Sequence, residues 1–118
     1  VGNICNRKKR EIMENLEIEI LKNEIVKKLL PLKIYLFGSY ANGNFTEESD
    51  YDFYIVVSDS VTDLAKEAAK AYKAVRFCKS KPVDIVVGTE QRFEARKNRP
   101  SVESEVYSKG VLLYESRS

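Results

Sequence analysis

The chain has no histidine among its 118 residues. That absence removes Ser-His-Asp and Cys-His nucleophilic chemistry, together with any histidine-ligated zinc site. Cysteine is scarce: Cys5 and Cys78 lie far apart and match no metal spacing. They read as reduced thiols of a cytoplasmic protein rather than as a disulfide framework. No apolar run approaches the roughly 18 residues that a membrane helix needs, so no membrane association is expected. The basic run Arg7-Lys8-Lys9-Arg10 lacks a following apolar core, which argues against a secretory signal. An excess of one charge is missing too. Twenty basic residues face 18 acidic ones for a net charge of +2, so the chain as a whole gives no argument for nucleic acid. Any catalysis must therefore run on carboxylates and a hard metal.

What is present describes a globular chain. Hydrophobic residues make up 43% and charged residues 32%, and the length fits one domain spanning 1–118. The apolar spacing predicts a long helix over about 10–30, with Ile12, Leu16, Ile20 and Ile18, Leu21, Ile25, Leu29 as rows of one apolar face, ended by Pro31. Short strands are expected at 34–37, 52–57, 82–87 and 111–114. Helices are expected from Gly38, over about 61–77 behind a capping box at Ser60 to Asp63, over 89–97, and over 101–109 before Gly110. This order fits an α/β (α+β) layered fold, with helices packed on a small sheet. The row Lys66, Lys70, Lys73 reads as a solvated helix face, with phosphate or partner docking as the alternative. The cluster Arg92, Arg96, Lys97, Arg99 is a second candidate for phosphate or an acidic partner.

Chemistry concentrates in two places. Leu36-Phe37-Gly38-Ser39-Tyr40-Ala41-Asn42-Gly43 closes an apolar strand with a Gly-Ser turn, and Ser49-Asp50-Tyr51-Asp52 opens the next strand. A third carboxylate, Asp84, sits between Val83 and Ile85 in a later strand. Side chains two apart on a strand share a face, so Asp50 and Asp52 can converge and Asp84 can join them from a neighbouring strand. Carboxylates gathered this way repel unless a hard cation such as Mg²⁺ lies between them. Glycine allows close backbone approach, and the Gly38-Ser39 turn offers N–H groups and a hydroxyl to a phosphate, although Ser39 could equally serve as a helix N-cap. Cation plus phosphate cradle reads as nucleotidyl or phosphoryl transfer. Gly43 reads as the end of the short helix.

Gly38, Ser39, Ala41, Gly43, Ser49, Asp50 and Asp52, with Asp84 beyond them, resemble the signature of the nucleotidyltransferase superfamily with the DNA polymerase beta-like palm. More narrowly they resemble the minimal nucleotidyltransferase (MNT) domains, many of them partners of HEPN proteins. The likeness runs from about residue 34 to 87. It implies a mixed sheet. It also implies Asp50, Asp52 and Asp84 as metal-ligating catalytic residues, Asp84 further as general base, and Gly38 and Ser39 as nucleotide-binding. The implied activity moves a nucleoside monophosphate, AMP from ATP, onto a hydroxyl acceptor with Mg²⁺ or Mn²⁺. The acceptor would be a HEPN-type protein partner, which makes the chain the antitoxin of a pair.

Two other readings stay open on the residues. One is a module that neutralises a partner by contact alone. The other is a small-molecule enzyme like the aminoglycoside nucleotidyltransferases, its acceptor site completed by a second subunit or by self-association, because a chain of this length has no room for their additional helical domain.

Overall fold

The computed structural model describes residues 2–46 and 48–116, with side chains described from Glu14 onward. Helix α1 (Gly2–Leu29) leads into strand β1 (Lys33–Phe37). The single turn α2 (Ser39–Asn42) then precedes β2 (Tyr51–Val57), α3 (Leu64–Val75) and β3 (Val83–Thr89). Two short helices, α4 (Glu90–Arg96) and α5 (Val102–Lys109), lead to the last strand, β4 (Val111–Glu115). The sheet order is β3-β2-β1-β4. β1 runs antiparallel to both β2 and β4, whereas β2 and β3 are parallel and joined through α3. The sheet is mixed, as the resemblance implied.

Strand alternation divides the core into two layers. Tyr51, Phe53, Ile55 and Val57 of β2 face α1 and α3, packing with Ile18, Leu21, Ile25, Ala71 and Val75. The other face carries Tyr35, Tyr54 and Val56, covered by Phe93 of α4 and Val106 of α5. Asp52 alternates with Tyr51 and Phe53, so it belongs to this second face.

Helix α1 begins well before residue 10, and only one of its expected apolar rows is buried. Ile18, Leu21 and Ile25 are inside, while Leu16 and Ile20 are 59% and 51% exposed. At about 100° per residue, Leu16 and Ile18 point to nearly opposite sides of the helix, and a single packed face cannot take both. Ile12 lies outside the residues whose side chains are described. The helix stops in a left-handed residue, Leu30 (φ 48°), ahead of Pro31. The expected cap at Ser60 is also displaced. Asp63 caps α3 by accepting from the Lys66 N–H, and Ser60 instead bonds Ser58. Thr89 and Ser101 cap α4 and α5 through their hydroxyls. Gly110 ends α5 in an extended conformation (φ −74°), not a left-handed one.

Candidate active site

Strand register assembles the site. Phe37 pairs with Asp52 across β1 and β2, which sets the Gly38 turn beside that carboxylate. Asp52 in turn pairs with Asp84 across the parallel β2–β3 ladder, so the two carboxylates stand abreast on one face. The Tyr51 N–H donates to the Pro82 carbonyl at 3.1 Å and holds the two strand starts together. Asp50 lies in the coil one residue ahead of β2. Ser49 shapes that coil: its hydroxyl accepts from the Thr46 N–H at 2.8 Å.

Gly38 is required twice over. Its φ of +76° lies where L side chains are strained, and a β-carbon there would run into the Asp52 carboxylate. The close approach that this glycine permits is thus the approach of Asp52 itself. Gly38 also occupies the cap position of α2, making Ser39 the first helical residue, so the hydroxyl is not committed to capping. Gly43 closes α2 in the left-handed conformation (φ 76°), as its sequence position indicated.

Asp52 is half-buried, and its carboxyl is pushed up to about 6 from 3.8. Burial is the largest cause, followed by the charges of Asp84 and Asp50, a hydrogen bond with Asp84, and the more distant Glu105. Asp84, by contrast, is exposed on the edge strand β3. Its place between the buried Val83 and Ile85 therefore does not bury it. The second face of β3 is uncovered at Asp84, while Val86 and Gly88 further along it pack against the Tyr54 layer. Lys81, three residues before Asp84, pairs with Glu14 at 2.7 Å.

Among the described residues, no three acidic or cysteine side chains form a ready metal cage. The donor set nonetheless fits a hard divalent cation. Asp52 and Asp84 are in register, Asp50 adjoins them, and the upward shift of Asp52 records a like-charge repulsion that a cation would relieve.

Behind the turn, a second set of residues locks it in place. Tyr40 stacks on Phe45 (ring centroids 4.5 Å apart), its hydroxyl donates to Glu14, and it accepts from Lys81. Glu17 accepts from the Tyr51 hydroxyl at 2.6 Å and from the Ser80 hydroxyl at 2.8 Å. Helix α1 thereby grips both the Gly-Ser turn and the loop entering β3.

Sequence reasoning missed Glu103. It is fully buried, beneath the same sheet face as Asp52, and accepts from the Tyr54 hydroxyl (2.7 Å), Arg92 Nε (3.2 Å) and Arg96 Nε (3.0 Å). Burial alone would push its carboxyl up. The hydrogen bonds from Tyr54, its own backbone N–H, Arg96 and Arg92 outweigh this and hold it below the usual range. Two members of the basic cluster at 92–99 are therefore committed to Glu103 while staying half exposed, and Lys97 pairs with Glu94. The signal that could have exposed this network is Gly88, an isolated glycine in an apolar strand: a β-carbon there would strike the Tyr54 hydroxyl.

A mixed sheet that sets two carboxylates abreast beside a Gly-Ser turn defines a frame for nucleotidyl transfer. Residues 18–113 match the nucleotidyltransferase domain family, and the chain belongs to it. It is 38% identical over 85 residues to a protein of Methanocaldococcus jannaschii named as a protein adenylyltransferase, spanning 70% of this chain and 77% of that one. The narrower likeness to MNT proteins is borne out by solved structures. A mutant of the MntA–HpeT toxin–antitoxin pair superposes with a TM-score of 0.50 at 27% identity, covering 81% of this chain and 73% of that one. A toxin–antitoxin structure with AMP-PNP gives a TM-score of 0.52 at 24% identity over 86% of this chain and 74% of that one, and shares the fold. Among the described residues no helix is long and apolar enough to cross a membrane.

Proposed function

We propose that this nucleotidyltransferase is an adenylyltransferase that takes AMP from ATP and places it on a hydroxyl of a partner protein. The observation that carries the reading is the in-register pair Asp52 and Asp84 beside the Gly38 turn. The 38% identity to a protein named as a protein adenylyltransferase supports the choice of AMP and of a protein acceptor. Likeness to toxin–antitoxin structures supports a toxin-type partner, HEPN by the sequence resemblance, with this chain as the antitoxin.

In this mechanism the backbone N–H groups of the Gly38-Ser39 turn and the Ser39 hydroxyl hold the triphosphate. Because α2 has only four residues, the individual donors matter more than a helix field. Asp50, Asp52 and Asp84 would hold Mg²⁺ or Mn²⁺. Such an ion, when bound, supplies charge neutralisation on the phosphates. Asp84 accepts the proton of the acceptor hydroxyl as its oxygen bonds to the α-phosphorus. The bond from that phosphorus to the bridging oxygen breaks, and pyrophosphate leaves. The exposure of Asp84 suits this role, because an acceptor carried by another molecule must reach it from outside. Asp52, tucked under Gly38, stays with the nucleotide side.

The test is calorimetric titration of ATP with and without Mg²⁺, followed by transfer from ATP labelled at either the α- or the γ-phosphate. Metal-dependent binding, lost in the Asp50→Asn, Asp52→Asn double variant, with acceptor labelled only from the α-position, is the expected result. Label arriving from the γ-position would replace adenylyl transfer with phosphoryl transfer. Nucleotide binding that survives the double variant would refute the assigned site.

A further inference from the structure

On the opposite side of the sheet, between α1 and α3, lies an open groove of about 440 Å³ lined by Lys28, Lys70, Lys73, Ala74, Arg76 and Phe77. The lining carries no carboxylate. Lys70 is ion-paired with Glu67 at 2.9 Å, while Lys28 and Lys73 enter no ion pair among the described residues. Phe77 is 86% exposed, and the Arg76 guanidinium lies over its ring at 4.6 Å. Cations near the end of α3 complement the helix dipole. Lys28, in the last turn of α1, has the same role for its own helix, but that role does not account for two helix ends turning their cations into one groove or for a large aromatic ring held in solvent among them. The net charge of +2 conceals this patch, because from Ala68 to Pro82 the chain has five cations and no acid.

We propose that this groove binds a segment of single-stranded nucleic acid, with phosphates on Lys28 and Lys73 and a base stacked on Phe77. Stacking platforms flanked by cations read such strands without sequence preference. An acidic peptide would use the cations but would have less use for the flat ring. An open groove suits a chain passing through better than it suits an enclosed small ligand. The groove is separate from the carboxylate pair, since α3 packs on the Tyr51–Phe53–Ile55 face and Asp52 belongs to the other.

The test is fluorescence polarisation of a short labelled oligouridylate with the full chain. It is run in chelator and repeated in the Asp50→Asn, Asp52→Asn background to exclude the nucleotide site. The expected result is binding with a log–log salt slope of about −2, as two or three neutralised phosphates require. Lys28→Glu with Lys73→Glu should weaken it more than about tenfold. Phe77→Ala should weaken it about tenfold, with an unchanged melting temperature because the ring is exposed. Absence of binding, or binding indifferent to Phe77→Ala, would overturn the proposal. Competition by polyglutamate equal to that of the strand would also overturn it, in favour of an acidic protein surface. Uridine monophosphate competing as strongly as the strand would overturn it in favour of a free nucleotide.

Discussion

Two carboxylates on one face of the same sheet behave in opposite ways. Glu103 is fully buried yet held below the usual carboxylate range, because hydrogen-bond donors surround it. Asp52 is only half-buried yet raised to about 6, because burial is reinforced by Asp84 and Asp50. Depth in the fold does not decide which carboxylate is poised for chemistry; the charge of the neighbours does. A carboxylate ringed by donors braces the structure. One ringed by carboxylates is strained until a cation or proton arrives, which is a property of sites rather than of scaffolds.

The sharpest way to break the comparison is to exchange roles by mutation. Asp52→Asn should lower nucleotidyl transfer about a thousandfold or more. It should also raise the stability of the metal-free protein at neutral pH by about 1 kcal/mol, after allowance for solvent screening of a half-buried group. Parallel activity assays and urea titrations check both, and a loss of stability would show that Asp52 braces the fold after all. Gly38→Ala should cost about 2 kcal/mol and most of the activity, because the new methyl group is strained at its φ and displaces Asp52. The same two measurements read it.

Glu103→Gln should do the reverse of Asp52→Asn. Its expected cost is about 2 kcal/mol, below that of an entirely buried pair because Arg92 and Arg96 are half exposed. Nucleotide affinity in the remaining folded protein should be little changed.

The pH dependence sharpens the contrast. Stability contributed by Asp52 is fully present below about 3.8 and lost as pH rises through about 6, since the native state holds the proton more tightly. Stability contributed by Glu103 is present above its ordinary value of 4.5 and is lost as pH falls through its lowered one. Urea titrations in chelator across this range, with each variant subtracted from the parent, should give slopes of opposite sign; slopes of the same sign would refute the contrast. The smallest effect expected is that of Tyr54→Phe. Removing one donor to Glu103 should cost about 1 kcal/mol in the same titrations and leave transfer intact.

The elements themselves were largely legible in the sequence. Short apolar or β-rich runs marked all four strands, 3.6-residue apolar spacing marked α1 and α3, and Gly, Pro and charge marked the short helices. The errors are local and physical. Leu16 and Ile20 look like core because spacing alone does not say which side of a helix a neighbour will cover. Ser60 satisfies a capping pattern that Asp63 satisfies better one turn on. Asp84 looks buried because its neighbours Val83 and Ile85 are apolar, whereas the face it occupies is covered only further along the strand, at Val86 and Gly88.

The sequence by itself determined the local pieces: the Gly38-Ser39 turn, the Asp50-x-Asp52 pair, the strand that carries Asp84 and the family to which they belong. These are legible because turn chemistry and side-chain alternation act over a few residues. Only the tertiary structure decided which groups meet. The register that sets Asp52 against Asp84, the Glu103 cluster drawn from α4, α5 and β2, and the groove shared by Lys28 and Phe77 all join residues remote in the chain. Their charges and burial exist only once packing brings them together, and no local pattern encodes that distance.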